Sequence, residues 1–107
     1  PRTPELYFSL LGAIKLGAVV GPLFEAFMEG AVKDRLEDSG AKLIITTPDL
    51  IKRIPVDELP KLEKIIVVGN AVQENATVID FYSRFDKAST DLEIEWVDKE
   101  DGMILHY

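Results

Sequence analysis

The side chains able to do chemistry are few in this sequence, and they fall in four places. Lys52 and Arg53 form a basic pair in an otherwise acidic chain. A guanidinium is a planar fork that meets phosphate oxygens two at a time, so the pair reads either as an anchor for a ligand phosphate or as solvated surface. Phe24, Phe27 and Met28 form an apolar cluster. Core packing is its simpler reading, yet a loop beyond the C-terminal end of a strand is also where ligands sit in open α/β sheets. His106, beside Tyr107, is the sole imidazole. It reads either as a site residue at a strand end or as a packed or surface histidine without a partner. Asp98, Glu100 and Asp101 could hold a cation, although such a run is more often a solvated turn.

No motif complete within these residues carries catalysis. There is no Gly-rich phosphate loop closed by a lysine, no GxGxxG, no HExxH and no GxSxG. The absence of cysteine excludes disulfides, thiolate zinc sites and Cys nucleophiles, and one histidine leaves little for a metal. No catalytic residue and no metal ligand is therefore assigned. Gly17 and Gly21 read as close packing around a strand. Lys33, Asp34, Arg35, Glu37 and Asp38 read as an ordinary exposed helix face. The Asn75-Ala76-Thr77 sequon carries no weight without a secretory signal.

Helices and strands must position these groups, and their pattern is readable. A helix is predicted from Thr3, with Thr3 as cap, Pro4 in the first turn, Glu5 at the positive dipole end and Gly17 as the stop. Leu6, Leu10, Leu11, Ala13 and Ile14 trace its apolar stripe. Residues 18–23 read as a short buried strand ended by Pro22. Glu29 to Ser39 is a second helix, where Ala31, Val32, Arg35 and Leu36 recur at helical spacing and Gly40 is the stop. Lys42 to Thr46 is a second strand, Asp49 to Arg53 a helical turn, and Pro55 and Pro60 bracket a loop. Lys64 to Gly69 is a third buried strand, ended at Gly69-Asn70. Thr77 to Ala88 reads as a helix with Phe81, Tyr82 and Phe85 on one side. Leu92 to Trp96 reads as extended, Asp101-Gly102 as a turn and Met103 to His106 as a fourth strand. Strands apolar on both faces, alternating with helices, predict an α/β layered fold: a mostly parallel sheet flanked by helices.

Composition bounds the rest. The chain has 107 residues, 47% apolar and 29% charged, which is the balance of one globular domain. Lys plus Arg is 12 against 19 Asp plus Glu, a net charge of −7, which argues against a nucleic-acid partner bound through phosphates. The longest apolar run, Gly17 to Phe24, falls far short of the roughly 20 residues that span a bilayer. The start at Pro1, the opening helix and the closing bare strand lead us to expect a piece of something longer.

One ordered set of motifs adds to this reading. The run Leu11-Gly12-Ala13-Ile14-Lys15-Leu16-Gly17-Ala18-Val19-Val20-Gly21-Pro22-Leu23 resembles the adenylate-forming (AMP-binding) superfamily, where a helix ends in GA-x-K-x-GA before a strand and a proline. Residues 35–46, 59–69 and 101–107 resemble its next helix–strand unit, its following strand and the strand that enters its Thr/Ser/Gly-rich phosphate loop. The stretch Pro22 to Val32 looks most like the AMP-forming acetyl-CoA synthetases within that superfamily.

The resemblance implies that residues 1–107 are a single α/β piece of the N-terminal AMP-binding domain, stopping just before the phosphate loop. It implies a ligase joining acetate to CoA through an acetyl-adenylate, with ATP, CoA and Mg used by the full-length enzyme and none held tightly by this inactive piece. It implies a cytoplasmic enzyme of small-molecule substrates, with neither nucleic acid nor membrane as partner. Phe24, Glu25 and Ala26 stand where the family loop touches CoA, and with Glu and Ala after the aromatic they depart from the aromatic-Gly-Gly run common there. Lys52 and Arg53 fall near a basic pair that meets the CoA nucleotide. Sheet edges left uncovered predict that the piece dimerises or swaps an element with a copy. The alternatives are a stand-alone α/β binding module and a ligase for another short- or medium-chain acid.

Overall fold

The computed structural model describes residues 1–69 and 72–107. They divide into two compact units, one of residues 25–88 and one of residues 1–24 with 89–107.

The first of these units is built on α2 (Glu29–Ser39), β1 (Leu43–Thr46), β2 (Lys64–Val67), β3 (Val78–Asp80) and α3 (Phe81–Phe85). Two short 3-10 turns, Ile51–Arg53 and Val56–Glu58, lie between β1 and β2. The strands form one parallel sheet in the order β1-β2-β3. Ile44 stands opposite Ile65 and Thr46 opposite Val67, while Ile65 stands opposite Val78 and Ile66 opposite Ile79. A central strand buries its side chains, and β2 does so: Ile65 and Val67 are 1% and 2% exposed. Val32, Leu36, Ile54, Leu59 and Leu62 complete the core. The expected mixed α/β architecture with a parallel sheet and helices is thus the one observed.

Local chemistry explains the element ends. Helix α2 runs over the expected residues and stops because Gly40 takes φ +62°, a left-handed turn that a side chain resists. The helical turn expected near Arg53 is the Ile51–Arg53 turn, and a second turn occupies the loop between Pro55 and Pro60. Strand β2 ends at Val67. The expected stop at Asn70 lies outside the described residues.

The helix expected over 77–88 is instead a short strand followed by a five-residue helix. Val78 and Ile79 are β-branched and pair with β2, so they extend instead of coiling. Asn75 launches the strand: its Oδ1 accepts from the amides of Thr77 (2.8 Å) and Val78 (2.7 Å). Only residues 81–85 are helical, and Asp80 caps them by accepting from the Ser83 amide at 3.0 Å. Phe81 and Phe85 stack at 5.4 Å, with Tyr82 edge-on to both.

The second unit holds α1 (Pro4–Lys15), with Pro4 in its first turn and Gly17 at φ +73° just beyond it. Thr3 sits at the cap position without a side-chain cap bond, and no residue of α1 is buried, so the expected stripe is not a buried one here. The strands expected at 18–23 and 103–106 reduce to one parallel bridge between Val20 and Ile104. Its bonds run from the Val20 amide to Met103 O (3.1 Å) and from the Leu105 amide to Val20 O (2.9 Å). Residues 92–96 form no regular element, and the turn near Asp101 spans Asp98 to Asp101. His106 and Tyr107 are exposed beyond the bridge.

Candidate functional site

The basic pair is placed by the turn that leaves β1. The amides of Leu50 and Ile51 bond back to Thr47 O at 3.1 and 3.2 Å, and the amide of Arg53 bonds to Leu50 O at 2.9 Å. The Thr47 hydroxyl donates to Asp49 Oδ1 at 2.5 Å and closes the turn from outside. That bond, the amide of Asp49 itself and the charge of Arg53 hold the Asp49 carboxyl below its ordinary range. Lys52 projects exposed from this turn, and Arg53 is half-buried.

Arg53 reaches the other predicted stretch. Its Nη1 donates to Glu25 O at 2.8 Å and to Phe27 O at 3.1 Å. One terminal nitrogen carries two hydrogens, so it can serve both carbonyls at once. Two carbonyls converging on one nitrogen bend the loop around Ala26, whose side chain is exposed, as is that of Glu25. Phe24 is 65% exposed, and neither it nor Met28 belongs to the core.

The far side of the same loop is held by α2. The Arg35 guanidinium lies over the Phe27 ring, 4.0 Å from its centroid, and Arg35 Nη1 donates to Ala31 O at 2.9 Å. A cation over an aromatic face is attracted by the ring quadrupole. Lys33 of α2 pairs with Glu58 of the second 3-10 turn, which raises the Lys33 pKa chiefly through that hydrogen bond.

Of the five sequence-predicted residues, Arg53 and Glu25 are brought together, Ala26 lies within the loop they define, and Lys52 flanks it in exposed surface. The role of Arg35 was missed by the sequence reading, which put it on a solvated face. The available signal was its place among Ala31, Val32 and Leu36, inside the apolar stripe of α2. Among the described residues no group of three His, Asp or Glu side chains is arranged to hold a metal ion. No helix among them is long and apolar enough to cross a membrane.

The chain belongs to the AMP-binding enzyme family, whose model matches residues 1–107. Among its relatives, the acetyl-coenzyme A synthetase of Bacillus subtilis (strain 168) is 59% identical over 107 residues, covering 100% of this chain and 19% of that protein. The acetyl-coenzyme A synthetase of Halorhodospira halophila is 25% identical over 122 aligned positions, with the same two coverages. The crystal structure of Brucella canis acyl-CoA synthetase superposes with a TM-score of 0.87 at 31% identity, over 99% of this chain and 19% of that one. The anthranilate CoA ligase AuaEII, solved with anthranoyl-AMP, gives 0.87 at 26% identity over 95% of this chain and 20% of that one. The chain thus spans about a fifth of the length of the relatives it matches.

Proposed function

We propose that the chain belongs to an acetate–CoA ligase and contributes to its CoA side. The observation that carries this is the 59% identity to an acetyl-coenzyme A synthetase across every residue. In the proposed reaction, acetate attacks the α-phosphorus of ATP and pyrophosphate leaves. The CoA thiol, losing its proton, then attacks the acetyl carbonyl of the adenylate and AMP leaves. Such chemistry rests on positioning and charge stabilisation. Phe24, Glu25 and Ala26 supply the CoA-facing loop in this reading, and Lys52 and Arg53 the basic flank. The Arg53–Glu25 bond supports it, because two stretches assigned to one ligand are neighbours.

Magnesium belongs to the reaction in this reading. The described residues offer no set of three acidic or histidine donors for it, so no step on this chain is assigned to the ion. The net charge of −7 supports small-molecule partners over nucleic acid. A cytoplasmic location is proposed from the family alone. The 107-residue chain by itself is expected to be inactive and to bind ATP, CoA and magnesium weakly. Leu43 and Ile45 of the edge strand β1 are 55% and 42% exposed, which supports its pairing with a second copy. Light scattering should then give about twice the monomer mass, and a clean monomer at high concentration would refute the pairing.

The test of the main reading is pyrophosphate exchange by the full-length protein with a panel of acids, followed by AMP release on adding CoA. Acetate-dependent exchange is expected. A competing acid has one observation in its favour, the equal structural match to an anthranilate CoA ligase. Exchange with anthranilate but not acetate would replace the acetate reading.

A further inference from the structure

We infer that Arg53 is a positioning residue that sets the shape of the loop from Glu25 to Met28, and that it acts on CoA through this loop and not by touching a phosphate. The inference rests on the CoA reading proposed above and refines which of the two basic residues meets the ligand.

Arg53 Nη1 is committed to two backbone carbonyls, Glu25 O and Phe27 O, at 2.8 and 3.1 Å. Carbonyl oxygens of alternate residues meet at one donor only if the chain between them is curled, so this pair of bonds defines the path of the loop. The loop has no helix or strand of its own to hold it. Its next contact is the Phe27 ring beneath Arg35, at 4.0 Å, and its last is the start of α2, where the Val32 amide bonds Met28 O at 3.0 Å. Arg53 is in turn rigid, because the turn that carries it is closed by backbone bonds and follows β1 directly. Two arginines thus grip the loop, one by its backbone and one by its aromatic side chain. Lys52 next door is exposed, and a lysine meets phosphate well as a point charge.

The chemistry separates the two roles. A direct phosphate contact needs charge, which lysine preserves. Holding these two carbonyls needs the reach of arginine, whose terminal nitrogen stands about one bond further along the side chain than that of lysine.

The experiment uses the full-length protein with Arg53→Ala and Arg53→Lys. Hydrogen exchange of the amides across residues 25–32, without ligand, is compared with the parent. KM is then compared for CoA, for dephospho-CoA (which lacks the 3′-phosphate) and for ATP. We expect exchange in this segment to quicken by about tenfold, from the loss of a charge-assisted bond. We expect KM to rise by the same factor for CoA and dephospho-CoA, with ATP unchanged and Arg53→Lys nearly as impaired as Arg53→Ala. Unchanged exchange overturns the inference whatever the kinetics. A penalty seen with CoA alone, or rescued by lysine, overturns it in favour of a direct phosphate contact, and an unchanged CoA KM removes Arg53 from CoA binding. If the parent shows no CoA ligase activity, the proposed function fails while the exchange arm still decides whether Arg53 shapes the loop. Should Arg53→Ala fail to fold, Arg53→Lys gives the same comparisons.

Discussion

The guanidinium of Arg53 and the carbonyl of Glu25, 28 residues apart in sequence, meet at 2.8 Å. The bond ties the turn after β1 to the loop before α2, so groups on either side share one geometry. Changes that move the turn should therefore be felt at the loop.

Lys52→Ala in the full-length protein is expected to raise KM for CoA roughly two- to tenfold, the worth of one exposed charge on a phosphate. The rise should shrink in high salt, which screens exposed charge. Steady-state kinetics with CoA at two ionic strengths checks it, with ATP as the control that should not change.

Gly69→Ala tests the seat of the turn. A Cβ at Gly69 would lie 2.8 Å from Pro48 Cγ and 3.0 Å from Pro48 Cδ, and a proline ring cannot swing aside. Overpacking of this kind costs about 1–3 kcal/mol. The urea midpoint should fall, and KM for CoA should rise with it because Pro48 leads into Asp49 and the basic pair. A variant with parental stability and kinetics would show that the turn yields freely.

Ile65→Ala removes the most buried side chain of the central strand, 1% exposed. A large-to-small change at such a site costs about 2–5 kcal/mol. Unfolding by urea should show a loss near the upper half of that range, because Ile65 is flanked by β1 and β3 and the cavity cannot close.

Acid sensitivity should trace in part to Glu74. Its carboxylate accepts from the Asp80 amide at 2.9 Å and the Ser83 hydroxyl at 3.0 Å, with Arg84 and Lys87 adding positive charge, and its pKa lies below the ordinary 4.5. A lowered carboxyl binds its proton less readily folded than unfolded. Its contribution is whole above the ordinary value and is lost as pH falls through the lowered one. Lys33 runs the other way: raised from 10.5 by Glu58, its contribution is whole below that value and lost as pH climbs through the raised one. Glu74→Gln should flatten the fall of the unfolding midpoint between about pH 5 and 3. Identical acid limbs in parent and variant would exclude Glu74.

Helix α2, strands β1 and β2 and the turn at Arg53 were legible in the residues, because each is a local matter. Periodicity in Ala31, Val32, Arg35 and Leu36, a glycine able to take φ +62°, and β-branched apolar runs act over a few positions. The ordered motifs that resemble the AMP-binding enzymes are equally written in the chain, and they carried the family. Strand β3 was misread as helix because its state depends on Ile65 and Ile66, more than ten positions away, and short segments yield to such partners. Residues 18–23 and 103–106 carry strand-like composition but pair only at Val20 and Ile104, since composition sets a preference and a strand needs a neighbour along its length. The meeting of Arg53 with Glu25 and Phe27, and of Arg35 with the Phe27 ring, follows no period at all. Such contacts exist only once the sheet has brought the end of β1 beside the start of α2. The residue types came from the sequence, and folding chose which carbonyls they hold.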